Sequence, residues 1–304
     1  MTLEISRLQQ KLESGKFVIT AEVCPPKGSD CSAFIASAKE LAPLVDAVNV
    51  TDNQGAHMRI SPLAAASLLQ RDGIEPIFQL TCRDRNRLAL QSDLLGAAAL
   101  GIKNVLLLTG DHLSCGDHKE AKGVFDLDAV QLIDAASRLC HGEDLAGRKL
   151  QGPPSLFIGA AAAPEAEPFE LTLFKLRKKI HAGARFFQTQ AIFNPAAYRR
   201  FQEVMAPQGV KTIAGILILK SAGMARFINA NIPGLRIPEE IIAELESASD
   251  PRRTGIELAC RLAREVQPFC HGIHVMPMGV DEGVGAIVAA LSNTSDDKES
   301  IPCR

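Results

Sequence analysis

Two acidic residues stand near the ends of apolar runs. Glu22 lies in FVITAEV (17–23), just ahead of the Cys24-Pro25-Pro26 turn, and Asp111 closes NVLLLTGD (104–111). A carboxyl partly withdrawn from water is pushed toward neutrality, as a general acid requires. The same placement at Glu22 suits a carboxylate paired with a neighbouring Arg or Lys, and spacing alone leaves both readings open. Asp111 follows Gly110, where a missing side chain lets the backbone approach a ligand closely; an N-cap or a turn residue would look the same. Gln188 and Gln190 lie in RFFQTQAI (185–192), and a glutamine amide, one acceptor and two donors, suits the mixed edge of a heterocycle or a barrel layer bonded to backbone. Taken as pointing to opposite faces, only one of the two is expected to look into the interior. His112, Cys115, Asp117 and His118 crowd together after a strand end, but their spacing matches no strong zinc signature, and Cys270, His271 and His274 are weaker still. No metal is expected.

These groups need a scaffold. Eight short runs rich in apolar and β-branched residues recur at 17–23, 47–52, 75–82, 104–111, 155–161, 185–192, 211–219 and 272–279. They read as strands buried on both faces. Between them lie helical patterns: Leu90, Leu94, Ala97 and Ala98 before Gly101; Ala129, Leu132, Ile133 and Ala136 after an N-cap at Asp128; and Phe169, Leu173, Leu176 and Ile180 before Gly183. This alternation predicts an α/β fold, a (β/α)8 TIM barrel; a doubly wound sheet is the weaker choice because no strand is followed by GxGxxG. The connections 112–154 and 220–271 are too long for simple βα units and read as insertions after strands 4 and 7. One domain is expected over 1–304, with a barrel core over 16–293 and a disordered tail over 294–304. In such a barrel the reactive groups belong at the C-terminal ends of the strands. Those ends supply Glu22, Thr51-Asp52-Asn53, Gln79, Thr81, Thr109 to His112, Gln188, Gln190 and Lys220-Ser221.

Composition narrows the roles. The chain is 46% hydrophobic and 22% charged, and its 33 basic and 35 acidic residues balance with no basic block, so no nucleic-acid partner is implied. With no Trp and a single Tyr, base-stacking platforms and Trp-rich sugar clefts are excluded. No apolar run reaches the roughly 18 residues of a membrane span, and the first residues, MTLEISRLQQKLESGK, offer no signal-peptide core, so a cytoplasmic location without membrane contact is expected. Eight cysteines without a CxxC pair read as small buried thiols. Association into a homo-oligomer is expected.

The strand-end residues resemble those of the methylenetetrahydrofolate reductases, a family of flavoprotein (β/α)8 barrels. The resemblance is carried by TAEVCPPKG (20–28), VNVTDN (48–53), FQLTCRDRNR (78–87), LLLTGDH (106–112), KKIHAGARFFQTQ (178–190) and LRIPEEI (235–241), which together span nearly the whole chain in order. It implies reduction of 5,10-methylenetetrahydrofolate to 5-methyltetrahydrofolate in one-carbon metabolism through a bound flavin, FAD with FMN as the alternative. NADH or NADPH would be the electron donor, or a separate electron-donor subunit. Carried over position by position, the folate-protonating acid falls on Glu22, the acid facing pterin and flavin on Asp111, and the pterin-contacting glutamine on Gln190. Flavin contacts fall on Thr51, Gly110, Asp111 and Lys179, and on Gln79 where better-known members have a histidine.

The chain also departs from the family pattern. The frequent Arg-Gly-Asp is Thr109-Gly110-Asp111, without the cation; a Tyr and a His beside the flavin fall on Ala163 and Glu167; and the phenylalanine that sandwiches nicotinamide or folate falls near Ala222. These departures motivate a rival reading, a partner-dependent or non-catalytic folate-binding subunit. A metal-dependent barrel lyase using His112 and His118 is a third.

Overall fold

A computed structural model describes residues 5–296 apart from Pro233. Eight strands, β1 (Val18–Val23), β2 (Ala47–Val50), β3 (Pro76–Thr81), β4 (Asn104–Leu108), β5 (Phe157–Ala162), β6 (Phe186–Ala191), β7 (Lys211–Leu217) and β8 (Gly272–Met276), form a closed barrel in chain order. Every adjacent pair is parallel, including β1 with β8. The fold is therefore a (β/α)8 barrel. Its strands read as apolar runs because the lumen buries one face and the helical ring the other. Several strands stop earlier than their apolar runs: β4 ends at Leu108, so Asp111 lies beyond the strand rather than closing it.

The ring consists of α2 (Ser32–Leu41), α3 (Pro62–Arg71), α4 (Arg87–Ala99), α5 (Ala129–Cys140), α6 (Phe169–Ala182), α7 (Pro195–Met205), α8 (Ala222–Asn231), α9 (Glu239–Ser247), α10 (Pro251–Val266) and α11 (Glu282–Asp296), with α1 (Arg7–Glu13) ahead of β1. Local chemistry sets the ends. At α5, Asp128 accepts from the Gln131 amide while the Gln131 side chain returns to the Asp128 N–H, a capping box. Asn86 caps α4 and Asn194, followed by Pro195, caps α7. On α5 the buried stripe Leu132, Ile133, Ala136 and Leu139 faces the barrel.

The long connection after β4 holds a loop, a 3-10 turn at Leu113–Cys115, α5 and a short antiparallel bridge between Glu143 and Lys149. The one after β7 holds α8, α9 and α10. At the other end of the chain, α11 continues to Asp296, past residue 294 where a disordered tail was expected; residues 297–304 of that tail lie outside the described residues.

Two apolar clusters build the core. The larger fills the space between strands and helices. The smaller lies at the N-terminal end of the lumen, where Leu8 and Leu12 of α1 pack on Val18, Ala47, Ile77, Leu106, Phe157, Phe186 and Ile213. The layer is tight: Phe157 and Phe186 stack at 4.8 Å, and a Cβ at Gly159 would stand 2.2 Å from the Phe186 ring, so only glycine fits there. α1 thus floors the barrel, tied down by Ser6, whose hydroxyl donates to Asn104 Oδ1 at 2.6 Å.

Candidate functional site

Above this floor the lumen turns polar. Thr20, Asn49, Gln188 and His274, from β1, β2, β6 and β8, are buried. Asn49 Nδ2 donates to Gln188 Oε1 at 2.8 Å and lies 2.9 Å from His274 Nδ1, which is also 3.0 Å from Thr20 Oγ1. Burial, with no anion to repay it, depresses the His274 pKa to about 3, so the ring is neutral.

Glu22 sits directly above. Its side chain is 9% exposed, Oε1 accepts from Gln54 Nε2 at 3.0 Å, and Oε2 is 4.0 Å from His274 Nε2. Among the described residues no Arg or Lys pairs with it, so the salt-bridged reading is set aside. Desolvation raises its pKa to about 7, opposed by the Gln54 hydrogen bond. Glu22 opens onto a cavity of about 510 Å³ walled by Cys24, Pro25, Pro26, Phe34 and Met278, with Arg59 and Asp281 also lining it. A second cavity of about 490 Å³, lined by Glu165, Arg200 and Arg236 among others, lies apart from these groups.

Thr51 just past β2, Gln79 on β3 and Gly110-Asp111 past β4 follow from three adjacent strands. Thr51 is buried and its Oγ1 has no hydrogen-bond partner among the described residues; the same holds for Asn49 Oδ1. Gln79 is 7% exposed. Buried polar atoms without partners are costly and mark places where a polar ligand would supply the missing bond. Gly110 has a left-handed φ of +93°, and a Cβ there would meet the Cβ atoms of Thr81 and Arg83 at 3.0 Å. The close neighbour that requires glycine is thus the end of β3.

Asp111 is exposed, and its Oδ2 accepts from the backbone N–H of Gly55 at 3.1 Å. It is not a helix cap; it fastens the loop after β2, which also carries Gln54, to the end of β4. A buried cation lies close by, just past the end of β3. Arg83, 1% exposed, pairs with Asp84 at 2.7 Å and points Nη1 at the Asp111 carbonyl, 3.5 Å away. Burial works against its charge, but pairing with Asp84 and the nearby Asp52 and Asp111 leave its pKa raised.

Gln190 and Lys179 lie further round the mouth. The two glutamines of β6 are two residues apart, a spacing that shares a face rather than dividing faces. A bulge between Gln188 and Ala191 separates them: Gln188 enters the buried layer, while Gln190 stays partly exposed beside Gly234, whose Cβ would stand 3.6 Å from Gln190 Oε1. Lys179, on α6, donates to the Ala161 carbonyl at the end of β5 at 2.7 Å. Burial first, then the neighbouring Lys175, lowers its pKa to about 8.

His112 and His118 turn their Nδ1 atoms to Ser114 and Asp117, and Asp117 also binds Lys27. Among the described residues no group of three or more His, Cys, Asp or Glu is arranged to hold a metal ion. Sequence reasoning missed Gln54 and Arg83, and it weighed His274 only as a weak metal candidate, not as a neighbour of Glu22. For His274 the available signal was a polar residue within an otherwise apolar strand; Gln54 and Arg83 lie outside the strands and carried no such signal.

A closed parallel barrel with a desolvated carboxyl and unpartnered buried polar atoms toward the C-terminal ends of its strands is the arrangement in which barrel enzymes place their sites. The chain belongs to the methylenetetrahydrofolate reductase family, whose sequence profile matches residues 7–292. It is 24% identical to methylenetetrahydrofolate reductase 2 of Schizosaccharomyces pombe over 94% of this chain and 47% of that protein, and 25% identical to methylenetetrahydrofolate reductase (NADH) 1 of Arabidopsis thaliana over 99% and 53%. The chain therefore spans about half the length of these relatives. The 5,10-methylenetetrahydrofolate reductase of Salmonella typhimurium is 25% identical over 83% of this chain and 81% of its own length. Among solved structures, a 2,3-dimethylmalate lyase matches with a TM-score of 0.54 at 13% identity, covering 98% of this chain and 88% of that one, a likeness of fold alone. No helix among the described residues is long and apolar enough to cross a membrane.

Proposed function

We propose that this chain reduces 5,10-methylenetetrahydrofolate to 5-methyltetrahydrofolate, with a bound flavin as the redox group. One observation carries the reading: Glu22 is a desolvated carboxyl, its pKa near 7, without a cationic partner and facing a cavity. Opening the five-membered ring of the substrate needs a proton at N10, and Glu22 is the acid for it. Breaking the N10–methylene bond leaves a cationic iminium at N5, which the Asp111 carboxylate favours electrostatically. Gln190 offers acceptor and donors to the pterin edge. When bound, the flavin supplies the hydride that turns the iminium carbon into a methyl group.

The residues present fit such a cofactor. Thr51 Oγ1 is buried without a partner, and Gln79, Gly110, Asp111 and Lys179 line the same end of the barrel. FAD is the proposed flavin, with FMN as the alternative. NADH, NADPH or a partner subunit supplies the electrons; Ala163, Glu167 and Ala222 stand where aromatic and imidazole contacts occur in the resembled enzymes, and this supports a partner. The test is an absorption spectrum followed by turnover. Purified chain showing flavin bands near roughly 370 and 450 nm, bleached by dithionite and restored by methylenetetrahydrofolate, supports the reading. A chain that binds flavin but is not reoxidised by the folate overturns it.

A further inference from the structure

We propose that His274 is a positioning residue for Glu22, a neutral imidazole whose Nε2–H faces the carboxyl and steadies the carboxylate left when Glu22 gives up its proton. The proposal rests on reading Glu22 as the proton donor.

Polar side chains deep in a barrel cost stability unless they satisfy one another. Asn49 Nδ2 donates to Gln188 Oε1 at 2.8 Å and lies against the His274 ring, 2.9 Å from Nδ1 and 3.5 Å from Nε2. Thr20 Oγ1, 3.0 Å from Nδ1, is the hydroxyl that donates to it in the proposed tautomer, and a neutral ring then carries its proton on Nε2. That atom is 4.0 Å from Glu22 Oε2, too far for a hydrogen bond in the resting state and close enough to make one after a small rotation of the carboxyl. Strand register holds the arrangement, with Thr20 paired to His274 and Glu22 to Asn49. The two Glu22 oxygens thus face different partners, Gln54 from the mouth at Oε1 and His274 from below at Oε2.

A fully buried ring with no anion in hydrogen-bond contact cannot serve as a base near neutrality, so His274 acts through its N–H. The other charged and titratable groups about Glu22 are Cys24, Arg59 and Asp281 around the cavity, and Asp111 beyond Gly55. None of them reaches Oε2 within bonding distance among the described residues.

The folate-free chain tests this in two ways. Nitrogen-15 shifts of His274 report the tautomer directly: an Nε2–H ring is expected, and an Nδ1–H ring overturns the proposal even if no variant folds. The carboxyl stretch of Glu22, assigned by its loss in Glu22→Gln, is then titrated by infrared spectroscopy in the parent, His274→Leu and His274→Gln. Losing the donor should move the titration up by about one pH unit, a tenfold weaker acid, and the glutamine amide should restore most of the shift. An unchanged titration in a folded His274→Leu protein overturns the proposal. Because no folate is present, a failure of the folate reading would show separately, as absent turnover with the titration shift intact.

Discussion

The Asp111 carboxylate receives the Gly55 N–H at 3.1 Å, so the residue proposed to favour the iminium also anchors the loop that carries Gln54 to Glu22. Two proposed roles at the site are therefore coupled through one backbone segment, and substitutions must distinguish charge from anchorage.

Asp111→Asn makes that distinction. The amide oxygen still accepts from Gly55, so the loop and the fold should survive, while the charge is lost. Turnover of the folate should fall by about 10²–10³ with unchanged thermal stability. Wild-type turnover in the variant removes Asp111 from the chemistry.

Glu22→Gln should separate the half-reactions. Reduction of the cofactor by an electron donor needs no proton from residue 22, whereas ring opening does, and loss of a general acid typically costs about 10²–10⁴-fold. Stopped-flow traces on one preparation should show reduction at the parent rate and reoxidation by the folate nearly abolished. Reoxidation at full speed would eliminate Glu22 as the acid.

Glu22 also sets a pH dependence whose sign is determined. Unfolded, its carboxyl ionises near its ordinary value of 4.5; folded, it keeps its proton to about 7. The folded state binds that proton more tightly, so stability declines as pH rises between these values and levels off above them, by about 3 kcal/mol in all. Glu22→Gln removes the decline and should be the more stable protein at pH 8, with little difference at pH 4, as read from urea midpoints. The folate half-reaction of the parent should fall about tenfold per unit above pH 7, as the acid form is depleted. A Glu22→Gln protein less stable than the parent at pH 8 would restore the structural ion-pair reading.

The barrel and its strands were legible along the chain because burial on two faces leaves unbroken β-branched runs, and Glu22 was marked by the Pro-Pro turn behind it. His274 was not. Its partner Thr20 is 254 residues away and meets it only when β8 closes on β1, a pairing that periodicity does not encode. Arg83 was hidden in the same way: CRDRNR reads as a charged turn, and only β3 lying beside β4 turns its guanidinium toward the Asp111 backbone. Gln188 and Gln190 required the bulge in β6, a local irregularity with no spacing signature.

If a partner subunit supplies the electrons, the isolated chain should be reduced slowly by NADH and NADPH yet readily by dithionite. Ala222 offers no aromatic face at the position where the resemblance places one for a nicotinamide ring. Rapid NADH oxidation with bleaching of the flavin in the isolated chain would refute partner dependence.

Asp52 carries stability rather than chemistry. Its side chain is fully buried and accepts from Thr81 N and Oγ1 at 2.9 Å and from Arg85 Nη1 at 2.8 Å. Asp52→Ala strands the largely buried Arg85 and should cost about 3–5 kcal/mol in chemical unfolding. A change below about 1 kcal/mol would mean that Asp93, which also pairs with Arg85 at 2.9 Å, carries the cation alone.

The floor laid by Leu8 and Leu12 gives the barrel a single doorway. Whatever reaches Glu22 arrives through the strand mouths and leaves by the same way.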